Sequence, residues 1–338
     1  MTEDVTRRSP TLDEVARLAG VSRSVASRAI NGAPHVRPAK RDAVARAVAS
    51  LGYAPNPNAR GLVTRRVGSV VLAVPDDDPA LFADPFFAAV ARGASRGLEP
   101  TDLLLTLVVA PDVDRLRRLV HPRRTDGIML MGVRDGDPLL DVALGQEVPV
   151  VLGGRPLHAD ARWYVDADNR GGARRATRML ARSGHRRIGF VGGPPDLAVS
   201  RDRRAGYRDA LAELGAGEPV EATGTFSEES GARATHALLD EHPDLDAVLA
   251  ANDNMAAGAV RALRGRGLAV PDDVSVVGFD DLPVATMLHP RLTTVHQPID
   301  ELGRRMALVL AEVLSGGDPE PVVLPTRLVE RESVRRRG

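Results

Sequence analysis

The chain has 338 residues, 43% of them hydrophobic, with no cysteine, one tryptophan and a formal net charge of zero at neutral pH. That length exceeds one ordinary core and suits two or three packed units, while the lack of thiols rules out disulfides, thiolate metal ligands and cysteine nucleophiles and suits a reducing compartment. The opening residues carry no apolar run of signal-peptide length, and nowhere do about 18 apolar residues stand together, so the expected location is cytoplasmic with no membrane partner.

The charge is unevenly distributed. Residues 1–66 hold 12 Lys/Arg against 5 Asp/Glu, a net of +7, and the remainder holds 33 against 40, a net of −7. A basic head on a mildly acidic body suits a nucleic-acid partner for the head, although small helical domains are also basic by chance. Lys40 is the only lysine, so the body lacks the amine that a Walker loop or Schiff-base chemistry needs.

In chain order, the first element is TLDEVARLAG, where Thr11 and Glu14 have the spacing of a capping box and Gly20 permits the left-handed turn that ends the helix. Ser22 caps a second helix from Arg23 to about Ile30, and so short a connection reads as helix-turn-helix. A third helix, from about Pro38 to Leu51, offers Ala43, Val44, Ala47, Val48 and Leu51 to a small core with Val15, Ala26 and Ile30. Arg23, Ser24, Ser27 and Arg28 are left on polar faces of the second helix. In a major groove, Arg23 and Ser24 would meet base edges, and Ser27 and Arg28 bases or phosphates; as ordinary solvated residues they fit equally well. Beyond Tyr53, Asn56 and Pro57 fit the cap and first position of a very short helix, or a plain linker.

TLDEVARLAGVSRSVASRAING, the HV that follows and LGYAPNPNARGL together resemble the DNA-binding head and hinge of LacI/GalR repressors. The resemblance implies DNA contacts from Thr11, Ser22, Arg23, Ser24, Ser27, Arg28, Asn31 and His35 in the head, and from Asn56, Ala59 and Leu62 in a hinge helix that folds when two copies pair on DNA. Leu62 would be the wedge in the minor groove. The family usually has Thr-Val where this chain has Val25-Ala26, which removes one hydroxyl contact to phosphate. Gly61 weakens the hinge helix by about 1 kcal/mol relative to alanine.

From Val67 the pattern becomes short apolar strands alternating with helical stretches: VGSVVLAVP, TDLLLTLVV, DGIMLM, PVVLGG, HRRIGFVGG, DAVLAAND and DVSVVGFDD. Such alternation implies parallel sheet covered by helices, with ligands at the carboxyl ends of the strands. The expected architecture is an all-α helix-turn-helix head at 1–54, a hinge helix and linker at 55–66, and an α/β core at 67–338. The core is read as two doubly wound parallel-sheet lobes, the first at about 67–167 and 299–326, the second at about 168–295 and 327–338.

DPFFAAVARG, VDADNRGGARRATRMLARSGHRRIGFVGGP, SRDRRAGY, AANDNMAAGAVRALRGRGLAVPDDVSVVGFDD and PRLTTVHQP extend the LacI/GalR resemblance through the core, which is also similar to periplasmic sugar-binding proteins. It implies an effector site containing Arg203, Asn252 and Asp280, the donor and acceptor types that vicinal hydroxyls need. Asp84, Phe86, Arg155 and Gln297 are further expected contacts, with Trp163 as a stacking wall. Without the resemblance, Asn252-Asp253 and Asp280-Asp281 also fit helix caps or turns, and Phe86 and Phe87 also fit core positions. Asp76-Asp77-Asp78 is read as a solvated loop, since three consecutive carboxylates do not readily face one ion. No HExxH pair or Walker loop is present, and no metal, cofactor or enzyme activity is expected.

The expected function is transcriptional regulation, most simply repression. A homodimer would bind pseudo-palindromic double-stranded operator DNA under control of a small effector, a sugar or sugar derivative. A nucleoside-type effector, or a DNA-bending protein with none, remains the alternative. The end at ESVRRRG has no leucine heptads of the kind the family's tetramers use, so a dimer is the expected limit.

Overall fold

The computed structural model describes residues 10–30, 33, 35–53, 67–74, 84–109, 113–122, 124–134, 136–145, 147–156 and 161–336. The expectations for Asn31, Asn56, Ala59, Gly61, Leu62, the hinge and the Asp76–Asp78 run lie outside them. The chain divides into two units, Met1–Val67 and Gly68–Gly338.

The first unit contains α1 (Leu12–Leu18), α2 (Arg23–Ile30) and α3 (Pro38–Leu51). The Thr11–Glu14 capping box is formed: the Glu14 carboxylate accepts from the Thr11 amide at 2.7 Å, and the Thr11 hydroxyl accepts from the Glu14 amide at 3.4 Å. Gly20, at φ +63°, makes the turn into α2, and the Ser22 hydroxyl accepts from the Val25 amide at 3.4 Å. Val15, Ala16, Ala26, Ala29, Val36, Val44 and Ala47 are buried together, with Ile30, Val48 and Leu51 packed around them. A core of such small side chains brings three short helices close enough to shield one another, which none could do alone.

The second unit repeats one topology. Its first sheet joins β1 (Ser69–Val74), β2 (Leu104–Val109), β3 (Gly127–Met131), β4 (Val150–Gly153), β5 (Tyr164–Ala167) and β11 (Val322–Leu324), in the order β2-β1-β3-β4-β5-β11. Its second joins β6 (Ile188–Gly192), β7 (Val220–Thr223), β8 (Ala247–Ala250), β9 (Ser275–Asp280), β10 (Thr293–His296) and β12 (Arg327–Val329), in the order β7-β6-β8-β9-β10-β12. All neighbours are parallel except the β10–β12 pair. Between the strands run α4 (Pro85–Leu98), α5 (Val113–Leu119), α6 (Pro138–Leu144), α7 (Asn169–Arg182), α8 (Ala198–Leu214), α9 (Glu228–Glu241), α10 (Asp253–Gly265), α11 (Val284–Met287) and α12 (Ile299–Leu314).

Both faces of the first sheet are covered, which explains why β1 reads as a continuous apolar run. Val70 and Leu72 enter the cluster under α4 and α12, whereas Val71 and Ala73 enter the opposite cluster with Leu116 and Leu139. After β5 the chain builds the second lobe, returns to the first for α12 and β11, and ends in the second with β12. The pairing of α4 with α12 depends on glycine: a Cβ at Gly93 would lie 1.9 Å from the Asp300 carbonyl oxygen, and one at Gly303 2.1 Å from that of Val90. This also disposes of Gly93-Ala94-Ser95-Arg96-Gly97, whose spacing matches a hydrolase nucleophile elbow. That motif requires a strand-to-helix turn, and here it lies inside α4 with its glycines facing α12.

Candidate functional site

Parallel sheets gather their loops at the carboxyl ends of the strands, and the two lobes present those ends to one cavity of about 370 Å³. Met131 and Gly153 at the ends of β3 and β4, Asn252 after β8, Asp280 at the end of β9 and Gln297 after β10 all line it. Leu197, Ala198 and Val199, at the start of α8, form an apolar stretch of its wall.

Arg203 organises the polar end. It is 3% exposed. Its Nε donates to Asn169 Oδ1 at 2.9 Å, Nη2 donates to Asp280 Oδ1 at 2.9 Å and Gln297 Oε1 at 3.0 Å, and Nη1 donates to the Ala251 carbonyl. The guanidinium carbon also lies 3.7 Å from the Phe279 ring centroid, a cation–π contact. Burial pulls the guanidinium below its ordinary value and pushes the Asp280 carboxyl up, and the ion pair between them opposes both shifts. The guanidinium remains charged at neutral pH, because its ordinary value is so high. A fixed fork with four of five N–H groups already engaged is a rigid platform for a ligand oxygen.

The backbone at this end is strained. Asp280 and Asp281 have φ of +102° and +61°, left-handed values that non-glycine residues adopt at a cost of about 1–3 kcal/mol each. Arg203 holds the first, while Arg331 Nη2 at 2.5 Å and His296 Nδ1 at 3.0 Å hold the carboxylate of the second. Burial raises the Asp281 carboxyl, but Arg331 and His296 more than offset it and leave it below its ordinary value. Behind them Asp253 is fully buried and accepts from Thr294 Oγ1 at 2.6 Å and the Leu282 amide at 2.7 Å. Burial, reinforced by Asp280, pushes its carboxyl well above the ordinary range.

The first lobe contributes Asp84, Phe86 and Arg155. Asp84 caps α4, with Oδ1 accepting from the Phe86 amide at 2.9 Å, and Oδ2 accepts from Asn254 Nδ2 of the second lobe at 3.3 Å. Burial raises its carboxyl above the ordinary value against both hydrogen bonds. Phe86 and Phe87 meet edge to face with centroids 5.3 Å apart and supply an aromatic wall. Arg155 is half-exposed, its Nε 3.9 Å from Asp166.

Seven of the eight effector-site residues nominated from sequence therefore line this cavity: Asp84, Phe86, Arg155, Arg203, Asn252, Asp280 and Gln297. Asn252 is also a cap, its Oδ1 accepting from the Met255 amide at 2.9 Å and its Nδ2 donating to the Phe226 carbonyl at 2.9 Å. Trp163 requires correction. It precedes β5, at the amino ends of the strands, and its Nε1 donates to Asp318 Oδ1 at 3.1 Å beside Arg162. A residue at that end of a parallel sheet points away from the cavity, whose aromatic surface is Phe86, Phe87 and Phe226. Sequence reasoning missed Asp166 and Asn169, which lie in the quoted VDADN segment at the end of β5; a four-residue strand containing an aspartate has too little periodicity to be read as one. Arg201 and Arg204, by contrast, are exposed, the first donating to the Pro195 carbonyl and the second paired with Glu221.

In the head, Ser22, Arg23, Ser24, Arg28 and His35 are exposed, and Ser27 is half-buried. Arg23 lies 3.6 Å from Asp13 with 71% of its side chain exposed, and Arg28 Nε donates to the Ser24 carbonyl at 3.3 Å. Thr11 is committed to the cap of α1.

Residues 11–56 match the family described as bacterial regulatory proteins, lacI family, and residues 177–334 match the periplasmic binding protein-like domain. Over 336 residues, 97% of this chain and 99% of the relative, the chain is 44% identical to the HTH-type transcriptional regulator CelR of Thermobifida fusca. The chain belongs to the LacI family of bacterial regulators. Among solved structures this LacI-family regulator resembles a transcriptional regulator CelR–cellobiose complex, with TM-score 0.75 and 41% identity over 96% of this chain and 99% of that one. It also resembles a Lac repressor dimer bound to operator and the anti-inducer ONPF, with TM-score 0.82 and 29% identity over 97% and 100% of the respective chains. These relatives are transcriptional regulators. Among the described residues no acidic or histidine cluster could hold a metal, and no helix is long and apolar enough to cross a membrane.

Proposed function

We propose that this LacI-family regulator is a homodimeric repressor whose affinity for a pseudo-palindromic operator is set by a carbohydrate bound in the cavity between the two lobes of its body. It acts in the cytoplasm, on nucleoid DNA, and is not an enzyme. The observation that carries this reading is the buried Arg203–Asp280 pair, aimed with Asn252 and Asp84 into a preformed cavity with aromatic walls, in a chain that also carries exposed arginines and serines on a helix-turn-helix. Arg23, Ser24, Ser27 and Arg28 read the operator; Ser22, Asn31 and His35 support its backbone contacts, and Leu62, with Asn56 and Ala59, serves the hinge. A sugar changes DNA affinity only to the extent that it prefers one lobe arrangement, typically by about 1–3 kcal/mol.

The test begins with selection of sheared genomic DNA on the purified full-length protein at near-physiological salt. Recovery of a few sites sharing one palindrome is expected. A duplex bearing that site is then titrated by fluorescence anisotropy with and without cellobiose and simple hexoses, and one sugar is expected to shift affinity about fivefold or more. Diffuse recovery would refute the specific reader, and indifference to every sugar would refute carbohydrate control.

A further inference from the structure

The charge of the cavity is unbalanced. Among the described residues Asp84, Asp137, Asp141, Asp166 and Asp280 line it, against the cations Arg134, Arg155 and Arg203. Each arginine is already matched within the protein. Arg203 is paired with Asp280 at 2.9 Å. Arg134 Nη1 donates across the lobes to both oxygens of Asp196, at 3.0 and 2.9 Å. Arg155 lies between Asp166 at 3.9 Å and Asp202 at 4.0 Å.

Helix amino termini are the usual backbone sites for anions, and three at this cavity are already engaged by their own caps. Asp84 Oδ1 takes the Phe86 amide of α4, Asp137 Oδ1 takes the Leu139 amide of α6, and Asn252 Oδ1 takes the Met255 amide of α10. Two of those caps add negative charge. The first turn of α8 has no side-chain cap, but it presents Leu197, Ala198 and Val199. Its dipole supplies only about half a positive charge, against several carboxylates.

Among the described carboxylates on this surface Asp84, Asp137 and Asp141 have no ion pair, and Asp84 is the one set against Asp280: its own bonds go to an amide of its own helix and to Asn254 across the cavity. An ionised carboxylate accepts up to about four hydrogen bonds, so lone pairs remain for a ligand hydroxyl. A ligand carboxylate or phosphate in the same place would set anion against anion beside a part-buried carboxylate, with Asp84 and Asp280 already repelling one another. We propose that Asp84 is a charge filter, by which the cavity accepts an uncharged polyhydroxylated sugar that donates a hydroxyl to Asp84 and refuses sugar acids and sugar phosphates. This deepens, and rests on, the reading of the cavity as a carbohydrate site.

The test is isothermal titration calorimetry of the full-length protein at neutral pH with matched pairs: cellobiose and cellobionic acid, glucose and glucuronic acid, galactose and galacturonic acid. Wild type, Asp84→Asn and Asp84→Ser are compared; both replacements remain good helix caps, and thermal melting verifies folding. A neutral member is expected to bind, its acid counterpart about tenfold or more weaker, and the gap is expected to narrow about tenfold in whichever variant folds. An acid that binds wild type as tightly as its neutral partner, or a gap unchanged in the variants, would overturn the filter and leave the carbohydrate site standing. Failure of every sugar to bind would defeat the carbohydrate site and the filter together.

Discussion

Replacing Arg203 by alanine removes the donor to four buried acceptors: Asn169 Oδ1, the Ala251 carbonyl, Asp280 Oδ1 and Gln297 Oε1. Asp280 is then a buried carboxylate at a left-handed backbone position with no cation beside it. Breaking a buried pair by removing one partner costs about 3–5 kcal/mol, and Arg203→Ala is expected to fall in that range. In urea unfolding followed by the fluorescence of Trp163, which lies outside the cavity, that loss moves the midpoint down by about 1 M or more, given a slope of about 1–3 kcal/mol per molar. The deficit also depends on pH. Without Arg203, burial and Asp84 act on Asp280 unopposed and raise its carboxyl further, so the folded state holds that proton up to a higher pH than the unfolded state, whose value is about 3.9. A folded state that binds the extra proton gains stability as pH falls, so the difference between variant and wild type shrinks from about pH 8 to pH 5. The variant is also expected to lose the effect of sugar on DNA affinity. A deficit under about 1 kcal/mol, or one that grows on acidification, would refute this account of the pair.

Arg23→Ala is expected to reduce discrimination between operator and mismatched duplex by about 1–3 kcal/mol in anisotropy titrations; an unchanged ratio removes Arg23 from the reader. Tyr207 is buried, its hydroxyl donating to the Ile188 carbonyl at 2.8 Å and accepting from the Val220 amide at 2.9 Å, so Tyr207→Phe should lose about 1–3 kcal/mol in chemical denaturation. Burial pushes that phenol up to about 12, so the unfolded chain ionises first, from about pH 10, and Tyr207 contributes stability that declines as pH rises from there; the phenylalanine variant should lack this part of the alkaline slope. Gly303→Ala should lower the melting temperature, because its Cβ would lie 2.1 Å from the Val90 carbonyl oxygen and the shift of α12 against α4 outweighs the gain of about 1 kcal/mol in helix propensity. An unchanged or higher melting temperature would show that the two helices yield freely.

What could be read in the sequence was written in local rules. The capping box at Thr11 and Glu14, Gly20 and the short link to Ser22 specify a helix-turn-helix because each satisfies backbone groups within a few residues. The run at β1 announces a sheet covered on both faces for a similarly local reason, its period of two hidden by burial on each side. The strand ends stand out as polar because parallel strands end where ligands bind, but it is the family resemblance that singles out Asn252 and Asp280, which local rules alone read equally well as caps or turns. Local rules do not say which strand ends meet. Arg203 lies 77 residues from Asp280 and 94 from Gln297 along the chain, and only the folding of the second lobe, which sets α8 at the carboxyl ends of β9 and β10, brings them within hydrogen-bond reach. The first sheet placed Trp163 at its far end, an outcome no periodicity contains, and brought Asp166 and Asn169 to the cavity from a strand too short to be recognised. The two lobes together set Asp84 beside Asn254 across the cavity and left it without a cation. The chain's own residues chose the elements and their chemistry; the packing of helices on each sheet, and of one lobe against the other at Asp84 and Asn254, chose the contacts, because side chains separated by dozens of residues interact only after the backbone between them has been ordered.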